Sequence, residues 1–161
     1  MAILKDSGDR RAWETGAVRD MAEGKGRCDL LPLGEVAGFM DDDFMRSLWY
    51  FEKTGRKEHS WVVNALTELR EAAFDGQEET MILELAIHFE DGARKYGDNN
   101  WRKGIPARCY LDSAIRHYLK WKRGDDDEPH ARACAWNLFC MMWELNNHDQ
   151  AIYEVKNGQK D

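Results

Sequence analysis

The stretch PHARACAWNLFCMMWELN, residues 129–146, decides the fold class. At the helical repeat, Ala131, Ala133, Cys134, Ala135, Leu138, Met141, Met142 and Leu145 cover nearly the whole circumference of a helix. A helix apolar on almost every side must be enclosed by other elements, so it belongs in the middle of a bundle. Pro129 suits its first position, and Gly124-Asp125-Asp126-Asp127 supplies the preceding turn and caps.

Working outward, Pro106 opens a helix to about Arg123, with Leu111, Ile115, Tyr118 and Leu119 on one side. A further helix spans about Glu78 to Tyr96 and is stopped by Gly97; Ile82, Leu85, Ala86, Phe89, Ala93 and Tyr96 form its apolar face. Residues 60–74 repeat the pattern, and Asp75-Gly76 ends it. Gly34 to about Glu52 makes another helix, with the acid run Asp41–Asp43 as its weak point. Residues 1–33 are polar and glycine-rich and read as an extended arm. No segment alternates in the manner of a strand. The expected fold is all-α: one domain over 1–161, a bundle of about five helices with an irregular N-terminal arm.

Composition narrows the function. With 161 residues, 43% hydrophobic and 33% charged, the chain can bury a core of its own. No apolar run approaches the roughly 18 residues of a membrane span, and MAILKDSGDRRAWETG has no secretory h-region. Cys28, Cys109, Cys134 and Cys140 form no CxxC pair, which suits reduced thiols in a cytoplasmic protein. The net charge of −7 argues against general nucleic-acid binding. Yet residues 94–123 hold nine cations against Asp98 and Asp112, a net +7 that leaves −14 elsewhere. That segment is either a solvated basic face or a local anion site.

Several polar residues stand out. Glu84, His88, Asp91 and Lys95 share a stripe of the 78–96 helix opposite its apolar face and are expected to meet solvent. Glu90 leans toward the core edge, where it either pairs with Arg94 or serves a metal or a base role. His130 and Asn137 lie on one line of the last helix, beneath Asp127 and Glu128. A buried primary amide needs partners for its donors and acceptor, so Asn137 bonds another helix or a ligand. Asp112 and Arg116 are spaced for an i,i+4 salt bridge.

Taken together, TGAVRD (15–20), GKGRCDLLPL (24–33), EDGARKYGDNNWRKG (90–104), YLDSAIRHYLKWKRGDDDEPH (110–130) and AWNL (135–138) resemble the phage-associated dATP/dGTP diphosphohydrolase domain, grouped with MazG-like all-α pyrophosphohydrolases. Residues 34–76 have no counterpart in these motifs and read as a helical insertion. The resemblance implies a metal-dependent hydrolase, often dimeric, that cleaves a purine deoxynucleoside triphosphate to monophosphate and pyrophosphate in the cytoplasm, the host's if phage-encoded. The alternative is a phage protein that sequesters a signalling nucleotide without cutting it.

Carried over by motif, the substrate-binding positions are Arg19, Lys25, Arg27, Lys95, Tyr96, Asn100, Trp101, Arg116, His117 and Asn137. Lys95, Arg116 and His117 suit phosphate oxygens, Asn100 a base or sugar edge, and Trp101 a base face. Glu90, Glu128 and His130 are the expected catalytic residues. Glu90, Asp127 and Glu128 are the expected ligands of Mg²⁺ or Mn²⁺. The paired E-x-x-E and E-x-x-D motifs of MazG-like enzymes are missing from the helices where the resemblance would put them.

Overall fold

The computed structural model describes residues 10–148. Six helices carry the fold: α1 (Leu33–Met40), α2 (Asp43–Lys53), α3 (Ser60–Ala73), α4 (Glu78–Tyr96), α5 (Ala107–Arg123) and α6 (His130–Asn147). The architecture is all-α, with one small addition. Strands β1 (Arg10–Ala12) and β2 (Val18–Asp20) form an antiparallel hairpin in which Arg11 faces Arg19. The arm is therefore partly a hairpin. Three-residue strands are too short to show alternation in sequence.

The expected helix over 34–52 is two helices. Asp41 adopts a left-handed conformation (φ 49°) that ends α1. Asp42 then caps α2, accepting from the Met45 amide at 2.8 Å. Three acids in a row thus punctuate rather than decorate: aspartate tolerates the left-handed region and is a strong N-cap.

Helices α5 and α6 form the central hairpin. Leu111, Ala114, Ile115, Cys134, Leu138 and Met141 are fully buried there, against Phe44, Met45, Leu48 and Phe51 of α2 and Val62, Ala65 and Leu69 of α3. Phe44 stacks on Tyr118 with ring centroids 3.8 Å apart. All four cysteines are free, and three of them are buried. No helix among the described residues is long and apolar enough to cross a membrane.

Helix α4 corrects the expected facing. Its buried residues are Met81, Leu85 and His88, while Ile82 and Leu83 are 45% and 68% exposed. The polar stripe turns inward because α6 carries Arg132, itself buried. A buried guanidinium must be paired. Arg132 bonds Asp91 at 3.0 Å, His88 Nδ1 at 3.3 Å and Glu84 at 3.4 Å. The stripe expected to meet solvent is the seam between α4 and α6.

Candidate functional site

A cavity of about 580 Å³ opens between the hairpin, the C-terminal half of α4, the loop before α5, and the facing sides of α5 and α6. The loop 97–104 and the hairpin are joined through Asn100 and Thr15. Asn100 accepts from the Val18 amide at 2.9 Å and donates to the Val18 carbonyl at 2.8 Å, imitating a neighbouring strand. The Thr15 hydroxyl donates to the Gly104 carbonyl at 2.6 Å. Asn100 therefore has one donor and one acceptor position taken by the Val18 backbone. Trp101 is engaged likewise: its ring sits 5.2 Å from Phe89 and 4.9 Å from Trp143, with Arg102 over it. The indole lines the cavity as part of an aromatic cluster rather than as a free stacking platform.

Cations form the opposite character of the wall. Arg19, Lys25, Arg116 and Lys120 all line the cavity, with the His117 imidazole beside them. Arg19, from β2, lies over Tyr110 and Trp136 and donates Nη2 to Asn137 Oδ1 at 3.0 Å and to Ser113 Oγ at 3.3 Å. Asn137 Nδ2 returns to the Ala133 carbonyl at 2.8 Å, so the amide on α6 anchors the arm's arginine. Arg19 Nη1 is buried with no hydrogen-bond partner. Arg116 is buried, holds both Asp112 oxygens at 2.6 Å, and donates to the Gly26 and Lys25 carbonyls at 2.6 and 3.3 Å. It pins the loop that presents Lys25. This is more than the surface salt bridge that spacing suggests. Burial lowers the Lys25 pKa.

Lys95 and Tyr96 line the cavity, but both reach Asp20, at 3.4 and 2.7 Å. Burial and that aspartate push the Tyr96 hydroxyl far above its ordinary pKa. Arg27 is corrected: it grips Asp29 through Nε at 2.8 Å and Nη2 at 2.7 Å, outside the cavity.

The α5–α6 corner collects bases. His117 and His130 meet Nδ1 to Nδ1 at 2.9 Å, and His130 Nε2 meets Asp127 at 2.8 Å. One donor atom each from His117, Glu128 and His130 lies within 4.8 Å of the others. His117 and Glu128 line the cavity. Burial, then His130, hold the His117 pKa well below 6.5, so its ring is neutral.

Glu90 is corrected. It sits at the cavity rim, 61% exposed, paired with Arg94 at 2.8 Å, and it is in neither donor group that could share an ion among the described residues. Glu68 and Glu71 on α3 have the E-x-x-E spacing, yet Glu71 pairs with Arg70 and neither lines the cavity.

A family model described as "dATP/dGTP diphosphohydrolase, N-terminal" matches residues 63–152, more than half of the chain. The chain belongs to this diphosphohydrolase family. No curated protein and no solved structure matched it. The family segment begins inside α3, takes in the rest of that helix and so the end of the 34–76 stretch, and supplies α4 to α6 with Lys95, Arg116, His117, Glu128, His130 and Asn137. Arg19 and Lys25 come from the arm, outside the matched segment.

Sequence reasoning missed Lys120 and His88 on the wall. Lys120 stands four residues after Arg116, so helical spacing carries its signal. His88 was hidden by the misassigned face of α4.

The donor set also tests the expected metal. Mg²⁺ takes oxygen ligands in near-octahedral array. The three carboxylates expected to hold it do not converge, because Glu90 pairs with Arg94 and Asp127 with His130. The residues present do not fit a carboxylate-held Mg²⁺.

Proposed function

We propose that the cavity binds a purine deoxynucleoside triphosphate and that the α5–α6 corner assists its cleavage to monophosphate and pyrophosphate. The observation that carries this reading is the cation wall. An acidic chain gathers Arg19, Lys25, Arg116 and Lys120 around one cavity. Its volume falls within the usual range for small-molecule sites. Triphosphates need such donors, and charge-assisted bonds to phosphate are the strong ones. The family description supports the diphosphohydrolase activity and the purine deoxynucleotide class.

In this reading Lys25 and Lys120 meet phosphate oxygens, Arg116 holds the loop that carries Lys25, and Arg19 donates Nη1 once a ligand draws it in. Glu128 and neutral His117, beside that wall, are the bases that can take a proton from the attacking water.

The test is calorimetric titration of dGTP and dATP, with products followed by phosphorus NMR. Lys25→Ala should weaken binding by about 1.5–3 kcal/mol, and wild type should release pyrophosphate but no orthophosphate. Tight binding with the nucleotide returned intact would mean sequestration. No binding by any dNTP would end both readings.

A further inference from the structure

We infer that His117, Glu128 and His130 form a binding site for a first-row transition ion, and that Mg²⁺ is not its preferred occupant. Asp127 sets the tautomer of His130. An ionised carboxylate only accepts, so at 2.8 Å it takes the Nε2 hydrogen of His130. In the neutral ring that leaves a lone pair on Nδ1, aimed at His117 Nδ1 2.9 Å away. A carboxylate that orients a histidine while its other nitrogen faces a second ligand is the usual outer-shell arrangement of metal-bound imidazoles.

Geometry and access agree. Two nitrogens each about 2.1 Å from one ion stand roughly 3.0–3.4 Å apart, so the pair needs to part slightly and His117, whose Nδ1–H donates to His130 in the ion-free state, to carry its proton on Nε2 instead. Glu128 adds an oxygen within 4.8 Å of both. The other group at this corner, Asp125, Asp127 and His130, is a poorer site: Arg123 grips Asp125 and Asp127 is committed to His130. His117 and Glu128 line the cavity, so an ion held here keeps open positions toward it.

Donor chemistry selects the ion. Imidazole suits zinc, copper, iron and nickel, whereas magnesium and manganese prefer oxygen. Bound here, such an ion would neutralise phosphate charge and acidify a coordinated water, and with it in place His117 and Glu128 would serve as its ligands rather than as bases. The site itself does not depend on the nucleotide reading.

The experiment uses the tag-free full chain without nucleotide. Co²⁺ is titrated and followed by its visible absorption, with Zn²⁺ and Mg²⁺ as competitors. One Co²⁺ per chain should bind, be displaced by Zn²⁺, and resist a large excess of Mg²⁺. His117→Ala and His130→Ala should each abolish the bands, and Asp127→Asn should weaken binding about 10–100-fold. Glu90→Gln should change nothing. Circular dichroism confirms that each variant is folded. Should His117→Ala destabilise the chain, Glu128→Gln, from the loop, provides the second reading, with weaker binding expected. Absence of Co²⁺ binding, unchanged binding in the folded His130→Ala variant, or equal displacement by Mg²⁺ would overturn the assignment. Because nucleotide is left out, these outcomes are independent of whether the cavity binds one.

Discussion

At the residue scale, two side chains that suggest ligand contacts prove to be framework. Asn100 spends its carbonyl and its amide nitrogen on Val18. Asn100→Ala should therefore lower stability by about 2 kcal/mol, since it strands two backbone groups, and urea denaturation will read that loss. Arg116 has an interior role too. Removing it leaves Asp112 buried without its cation, which typically costs about 3–5 kcal/mol. Arg116→Ala should thus appear first as a fall in melting temperature, with nucleotide affinity lost through the Lys25 loop. A variant of normal stability and weakened affinity would place the guanidinium on the ligand instead.

At the element scale, the break between α1 and α2 and the facing of α4 are the informative features. Asp42 both caps α2 and accepts the Tyr118 hydroxyl of α5. Burial and that carboxylate push the Tyr118 hydroxyl far above its ordinary pKa. Asp42→Ala should cost about 1–3 kcal/mol, a cap plus a stranded hydroxyl, measurable as a shifted denaturation midpoint. Tyr118→Phe in the same background should recover part of it, because the orphan is then gone. Helix α4 turns its polar stripe inward to meet Arg132, leaving Ile82 and Leu83 outside. Local amphipathicity cannot foresee that, because the partner charge lies 41 residues away from Asp91 and 48 from Glu84.

At the scale of the whole molecule, the seam between α4 and α6 makes stability depend on pH. Burial, then Arg132, Arg19 and Lys95, hold the His88 pKa down to about 3. In the unfolded chain the same ring titrates near 6.5. Between those values the unfolded state binds a proton that the folded state refuses, so stability rises with pH and is lost on acidification. His88 alone contributes a slope of up to about 1.4 kcal/mol per pH unit below 6.5. Denaturation curves from pH 7 to pH 4 should show it, and His88→Gln should flatten it. A profile identical to wild type would mean that other groups set the acid limit.

The helices themselves were legible along the chain because their causes are local. The nearly all-apolar 129–146 segment, the stop at Gly97 and the turn at Asp75-Gly76 needed only periodicity and turn chemistry, and α3 to α6 lie close to where they point. The cation count over 94–123 likewise took in Arg116, which lines the cavity, whereas His117 was picked out only by the family motif. Sequence alone did not decide which polar groups are already taken. Asn100 finds Val18 across 82 residues, Arg19 finds Asn137 across 118, and Glu90 finds Arg94 one turn away. A donor bonded to protein and a donor left for a ligand are the same letter. Only the tertiary structure distinguishes them, because only folding decides which buried charges find partners and which, like Arg19 Nη1, are left over.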